Sequence, residues 1–286
     1  MLNIGLIGST KILEPHVRRI QKNPKIDIIG KASFGSTSQL DSFHYSIPEF
    51  NRIELIERAD IILMDDTSLM PFNLLCDIVK KSKHIFTTEY LKLSIDECSA
   101  LVKLTSESGS VVQIKNPYFF TPAVQWLNDN LITPTFVEIS HFIADLNDDI
   151  LISLLLMLLK ITGNNPKKIN AVSYQSKESN SKFNNVHLEF SNSSVVNINY
   201  GMLNTIQEFK VKAFSSGQFV FFNFRNNTYH KNDKILNLSG YSSTNEFDTF
   251  INTIINKTPA ISGIEDYLTV LQTIQKIDKK INQLST

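Results

Sequence analysis

The apolar positions of the first 120 residues come in short runs, with stretches of helical spacing between them. Leu2 to Ile7 is an apolar run that ends at Gly8, the pattern of a strand buried on both faces. A helical stretch follows to about Asn23, and Pro24 breaks it before a second strand at Ile26–Ala32. Ala59–Met64 is a third apolar run. Phe72–Lys81 has Leu75, Ile78 and Val79 on one side and predicts a helix, and His84–Thr87 is another short strand. Ser94 followed by Glu97 predicts a capping box. The helix it opens runs to about Ser108 and stops at Gly109, and Val111–Ile114 is the next strand. Strands alternating with helices of this length predict βαβ units and a doubly wound parallel sheet over residues 1–120.

The pattern changes in residues 121–286. Pro122–Leu131 reads as a helix and Phe136–Ala144 as a strand. Ile150–Ile161 is apolar all round, which predicts a buried helix. Six runs with strand character follow: Ile169–Gln175, Phe183–Phe190, Val195–Tyr200, Glu208–Ser215, Phe219–Phe224 and Lys234–Leu238. Ser/Asn/Gly clusters between them predict an antiparallel meander. Asn245–Ile255 and Ile264–Leu284 close the chain as helices, expected to pack back on the first domain. The second domain is therefore α+β with a large open antiparallel sheet. A sheet face bearing Phe219, Phe221 and Phe222 needs a cover, and a second copy of the chain supplies one.

Composition narrows the class. A chain of 286 residues carries about two domains. With 42% hydrophobic and 20% charged residues it is globular. Lys plus Arg and Asp plus Glu are both 28, which argues against a large basic surface for nucleic acid or anionic lipid. The longest apolar run, Ile150–Leu159, is broken only by Ser153 and is shorter than the about 20 residues a membrane span needs. The first residues lack the shape of a signal peptide. Cys76 and Cys98 form no CxxC pair, and two free thiols fit a reducing compartment. A soluble cytoplasmic protein with a small-molecule ligand is the expectation. His16, His44, His84, His141, His187 and His230 are scattered, so no metal site is expected. Lys276, Lys279 and Lys280 read as a solvated helix face.

Four segments, in order, resemble the glucose–fructose oxidoreductase / inositol dehydrogenase (Gfo/Idh/MocA) family. Ile4-Gly5-Leu6-Ile7-Gly8, with Ile12 and His16, resembles the family opening IGIIGxGxIxxxH. Glu89 follows a strand where the family has Glu-Lys-Pro. Asn116-Pro117-Tyr118-Phe119-Phe120, with Pro122, Val124 and Gln125, resembles NxRFxPxxQ. Phe250-Ile251, Ile254-Ile255, Pro259 and Glu265-Asp266-Tyr267-Leu268 resemble the family's C-terminal helices. The resemblance covers nearly the whole chain. It implies a Rossmann-type first domain, an NAD(P)-dependent oxidoreductase acting on sugars, polyols or related small molecules, and a homodimer or tetramer built through the open sheet. The implied cofactor is NAD or NADP, lying over Gly8, Ser9, Thr10, Lys11 and Ile12, with Phe34, Asp66, Thr67, Glu89 and Asn116 around it.

The residues that carry the family's chemistry are replaced. A dinucleotide turn uses glycines so that backbone approaches the pyrophosphate. In Gly8-Ser9-Thr10-Lys11-Ile12-Leu13 only the first glycine remains, although the Ser9 and Thr10 hydroxyls and the Lys11 charge suit a phosphate. The other reading is a plain strand-to-helix turn. Lys31-Ala32-Ser33-Phe34-Gly35 offers no carboxylate for the ribose hydroxyls; Lys31 and Ser33 tolerate a 2′-phosphate. Asp65-Asp66-Thr67 puts two carboxylates where a diphosphate would be repelled; they serve as acid/base groups or a cation site, or Asp66 caps a turn. Tyr90 replaces the family lysine and is either a proton donor or a wedge filling the site. Aligning Gly163 with the end of the family's DxGxHxxDxxxxLxG segment puts Asp149 on its first Asp, Leu151 on its first Gly, Ser153 on His and Leu156 on the second Asp. Serine and leucine are not general bases near neutral pH. Two functions follow: an oxidoreductase with a divergent site, or a non-catalytic dimeric binding or scaffold protein, a pseudo-enzyme that has lost cofactor binding.

Overall fold

A computed structural model describes the chain except residues 9, 33–46, 66–70, 145–148, 177–180, 204–206, 243, 285 and 286, and the side chains of residues 10–12 and 284. It divides into two compact units, Met1–Lys115 with Glu246–Leu268, and Asn116–Asn245 with Thr269–Thr286. The change of pattern near residue 120 therefore falls close to the first crossing between units. The chain also returns to the first unit at Glu246.

The first unit contains β1 (Leu2–Ile7), α1 (Thr10–Ile20), β2 (Ile26–Ala32), α2 (Arg52–Arg58), β3 (Ile61–Met64), α3 (Phe72–Lys80), β4 (His84–Thr87), α4 (Ile95–Ser108) and β5 (Val112–Gln113). The strands form a sheet of order β2-β1-β3-β4-β5, every pair parallel. The doubly wound sheet expected from the apolar runs is present. The capping box forms in full: the Glu97 amide donates to Ser94 Oγ at 3.2 Å, and the Ser94 amide donates to Glu97 Oε2 at 2.9 Å. Gly109 ends α4 at φ 70°, a left-handed backbone that glycine adopts without strain. Helix α2 has no counterpart in the sequence reading. Only Leu55 and Ile56 of its seven residues are buried, too few for a visible period, and its start is marked by the Asn51 side chain accepting from the Glu54 amide.

The second unit contains α5 (Pro122–Asn130), β6 (Thr135–Ile143), α6 (Asp149–Thr162), β7 (Pro166–Gln175), β8 (Lys182–Phe190), β9 (Val195–Met202), β10 (Glu208–Ser215), β11 (Gln218–Asn223), β12 (Thr228–Lys231) and β13 (Lys234–Ile235). These eight strands form one sheet of order β13-β12-β11-β10-β6-β9-β8-β7. The sheet is mixed rather than wholly antiparallel, because β6 pairs with β9 in parallel. A parallel pair needs a long crossover, and α6 with the β7–β8 hairpin provides it. Local turn signals reported the hairpins and carried no record of this crossover.

The chain ends with α7 (Glu246–Asn256) and α8 (Ile264–Leu284). Phe247, Phe250 and Ile251 of α7 belong to the core of the first unit with Ile4, Leu6, Leu13, Val17, Ile61 and Phe86. The Phe86 ring lies 5.1 Å from Phe247 and 5.4 Å from Phe250. Ile114 and Gln113 are tied to the turn before α8, the Ile114 amide donating to the Ser262 carbonyl at 2.8 Å. Residues far apart in sequence thus complete one core. Phe250→Ala leaves a cavity there and is expected to cost about 3–5 kcal/mol, read as a lowered midpoint of urea unfolding.

Candidate functional site

In a sheet of order β2-β1-β3-β4-β5 the crossovers from β1 and from β3 run in opposite directions. The carboxyl ends of β1 and β3 then border a crevice where open α/β sheets take ligands. Gly8 follows β1 and Asp65 follows β3. The Asp65 amide donates to the Ile7 carbonyl at 3.0 Å. Gly8 has φ 136°, a conformation side chains rarely adopt. A Cβ there would lie 2.5 Å from Asp65 Oδ1. Glycine is therefore required twice at this position, by backbone conformation and by the packed carboxylate. Asp65 is fully buried, its side chain packed in the space beside Gly8. Helix α1 begins at Thr10, so its unpaired first-turn amides belong to the same end of the sheet. The backbone arrangement fits a pyrophosphate, while an ionised Asp65 would oppose one.

The other expected site residues are distributed as follows. Ser9, Phe34, Asp66 and Thr67 lie outside the described residues, as do the side chains of Thr10, Lys11 and Ile12. Glu89 is half-buried after β4, and Tyr90 beside it is buried. The Tyr90 ring is parallel to Tyr267, 6.3 Å between centroids and 6° between planes. Tyr267 Oη donates to the Leu91 carbonyl at 2.6 Å, which fixes this pair against the segment after β4. Asn116 is fully buried and its Oδ1 accepts from the Phe119 amide at 3.3 Å. Gly8, Thr10, Lys11, Ile12, Glu89 and Tyr90 belong to the first unit and Asn116 to the second. On α6, Leu151, Ser153 and Leu156 are buried, and Ser153 Oγ donates to the Asp149 carbonyl at 2.9 Å.

The second unit holds a group of polar residues that the sequence reading missed. Side chains on the inner face of its sheet form rows across the strands. One row is Ala213, Val137, Val196, Leu188 and Ile169, and the next is Val211, Ile139, Ile198, Val186 and Ala171. Both are aliphatic. The third row is Phe209, His141, Tyr200, Asn184 and Ser173. His141, Tyr200 and Asn184 are buried in it. Tyr118, from the segment before α5, reaches this row, its Oη 2.8 Å from His141 Nε2. Phe209 covers both rings, with centroids 4.5 Å from His141 and 4.8 Å from Tyr118. Nδ1 of His141 is buried with no hydrogen-bond partner. Burial holds the imidazole down at about 4, a hydrogen bond with its own backbone acting the other way, and burial raises the Tyr118 phenol. The pair is therefore uncharged at neutral pH. The signal was in the sequence: the inward positions of three neighbouring strands turn polar at the same level. Reading it requires the strand register.

Known proteins share this fold. No protein-family model matches the chain, and no curated protein matches it. Among solved structures, UDP-N-acetylglucosamine 3-dehydrogenase GnnA from Acidithiobacillus ferrooxidans aligns with TM-score 0.80 at 17% identity, covering 98% of this chain and 97% of that one. A putative myo-inositol dehydrogenase from Sinorhizobium meliloti aligns with TM-score 0.77 at 16% identity over 99% and 98% of the two chains. The WlbA dehydrogenase of Chromobacterium violaceum, solved with NADH and UDP-GlcNAcA, aligns with TM-score 0.78 at 12% identity over 99% and 94%. The resemblance read from the four sequence segments holds at the level of the fold, over nearly the whole chain.

Two outcomes follow from the geometry. His141 titrates at about 4 in the fold against 6.5 when free, so the unfolded chain binds the proton first as pH falls through that window. Stability contributed by the neutral imidazole is complete above 6.5 and is lost toward pH 4, by about 3 kcal/mol. His16 and His84 are also lowered by burial and act in the same direction. Urea unfolding across this range should show a smaller pH dependence in His141→Gln than in the parent chain. Gly8→Ala combines a strained φ with a clash against Asp65, so it is expected to lower the melting temperature, at a cost of about 1–3 kcal/mol.

Proposed function

We propose that this chain, which has the Gfo/Idh/MocA-type fold, is an NAD(P)-dependent oxidoreductase-like protein acting on a sugar or related small molecule through a divergent site. The observation that carries the reading is the turn from β1 through Gly8 into α1, at the switch point of the parallel sheet. Gly8 and the first-turn amides of α1, with Ser9, Thr10, Lys11 and Ile12, would hold the pyrophosphate, and Phe34, Asp66, Thr67, Glu89 and Asn116 would line the remainder. A bound nicotinamide supplies the hydride acceptor or donor. Tyr90 is the proposed proton donor in place of the missing lysine. The two buried thiols suit a cytoplasmic setting, with Cys98 raised to about 12 by burial and therefore unreactive. No helix among the described residues is long and apolar enough to cross a membrane.

A second reading, a pseudo-enzyme that binds a ligand or partner without hydride transfer, is favoured by specific contacts. Asp65 occupies the space beside Gly8, the Ser153 hydroxyl is engaged by the Asp149 carbonyl, and Leu156 is fully buried where the family pattern has an acid. Calorimetric titration with NADH and with NADPH separates the readings. Micromolar binding of either supports the oxidoreductase, and no heat with both removes it in favour of the pseudo-enzyme.

In either reading the chain is proposed to be a homodimer or tetramer through the open sheet face. Phe136 and Phe214 are neighbours there, 37% and 51% exposed, and the Phe214 ring lies 4.7 Å from Phe219. An exposed aromatic group of this kind suits a second copy. Light scattering should give at least twice the monomer mass for the parent chain and a single-chain mass for Phe214→Glu.

A further inference from the structure

The eight-stranded sheet ends in β13 on one side and β7 on the other. The β13 edge is two residues long, too short to template another strand. β7 is ten residues long, and β8 is its one neighbour among the described strands. The devices that blunt a sheet edge are gathered at its start. They are Pro166, a shift of register between Pro166 and Lys168, and the exposed Lys167 and Lys168. The stretch from Ile169 to Gln175 has none of them. Two side chains on its open face are apolar and exposed, Val172 at 47% and Tyr174 at 68%.

The hairpin that joins β7 to β8 fixes which backbone groups point outward. The Ser176 amide donates to the Ser181 carbonyl at 2.9 Å, so this facing pair is a hydrogen-bonded one. In an antiparallel ladder such pairs alternate with pairs that exchange no bond. In the register Gln175↔Lys182 to Ile169↔Leu188, it is therefore Asn170, Val172 and Tyr174 that bond β8. Ile169, Ala171, Ser173 and Gln175 turn their amides and carbonyls toward the edge. These four residues are symmetric about Val172. A second antiparallel copy of the segment, centred there, sets Ile169 opposite Gln175 and Ala171 opposite Ser173. Every outward amide and carbonyl then gains a partner. Val172 meets its own counterpart, which covers the exposed apolar centre. Lys167 and Lys168 fall at opposite ends of the pair, so the charges of the two copies stay apart. A parallel copy would bring them together. A strand of unrelated sequence could bond the same backbone groups, but the symmetric apolar centre and the separated lysines match this chain itself.

We propose that β7 is an edge at which a second copy of this chain pairs antiparallel about Val172, so that the sheet continues from one chain into the other. The contact is made by backbone groups and does not depend on the sheet-face contact proposed above. It is small, so on its own it forms only in concentrated solution. The test uses the full chain carrying Phe214→Glu, to remove the face contact, with one added cysteine. The native thiols are buried. Facing positions that exchange no hydrogen bond have Cα atoms about 4.5 Å apart, within reach of a disulfide. Val172→Cys, concentrated and oxidised with copper–phenanthroline, is expected to give a two-chain band on a non-reducing gel. The band should be at least ten-fold stronger than that of Tyr174→Cys, whose facing residue is Asn170. No band from Val172→Cys, or equal bands from both variants, overturns the pairing. A second measurement needs no cysteine. In the concentrated parent chain the amides of Ile169, Ala171, Ser173 and Gln175 should be protected from hydrogen exchange. In Val172→Lys, which sets two like charges face to face, they should exchange at least ten-fold faster. Rapid exchange of all four in the parent chain at every concentration overturns the proposal and leaves the edge to a strand of another protein. Protection unchanged in Val172→Lys also overturns it. Failure of the face contact leaves both measurements intact.

Discussion

Parallel pairing of β1 with β3 is the constraint on which the first unit depends. The two strands run side by side from Ile4–Ile61 to Ile7–Met64, so their carboxyl ends must finish together. The residues that follow, Gly8 and Asp65, are then forced into contact. Crossovers leaving in opposite directions keep neighbouring helices out of this point, and a crevice remains where the backbone amides of α1 begin. The same geometry that creates a ligand position thus decides which side chains face it. In this chain one of them is a fully buried carboxylate. The fold provides the opening, and the buried Asp65 side chain packs against Gly8 beside it.

The second unit is governed by alternation along its strands. Strands β6 to β11 each alternate buried and more open positions, so residues at one level of neighbouring strands share a face. Two aliphatic levels give the sheet its dry face, and the third level is polar from β6 to β8. On the opposite face, Lys212 pairs with Glu138 at 3.0 Å and His187 Nδ1 lies 2.7 Å from Asn197 Oδ1. The aromatic group of Phe136, Phe214 and Phe219 shares that face. Polar ladders beside an aromatic group give a surface with both polar specificity and apolar area, which is what the proposed contact between copies would need.

The candidate residues divide according to how much of their role is local. The Ser94–Glu97 capping box and the Gly109 stop were legible because a helix end is settled within four residues. Among the parallel strands β3 was the most legible, because burial on both faces leaves the unbroken apolar run Ile61–Met64. Tyr90 was legible as an unusual residue, but its parallel stacking on Tyr267 was not, since 177 positions separate the two in sequence. His141 appeared as one of six scattered histidines, and its meaning came only from Tyr118 and from the register of β9 and β10.

The sequence by itself determined the two-part architecture, the element boundaries near caps and breakers, and the replacement of the residues expected to carry hydride-transfer chemistry. These follow from short-range periodicity and from residue identity. Tertiary structure alone decided that β6 and β9 run parallel, that α7 completes the core of the first unit, that Asp65 lies against Gly8, and that a polar row crosses the second sheet. Each of these depends on contacts between distant segments. Such contacts are selected by packing and burial of the whole chain, and no local stretch of residues records them.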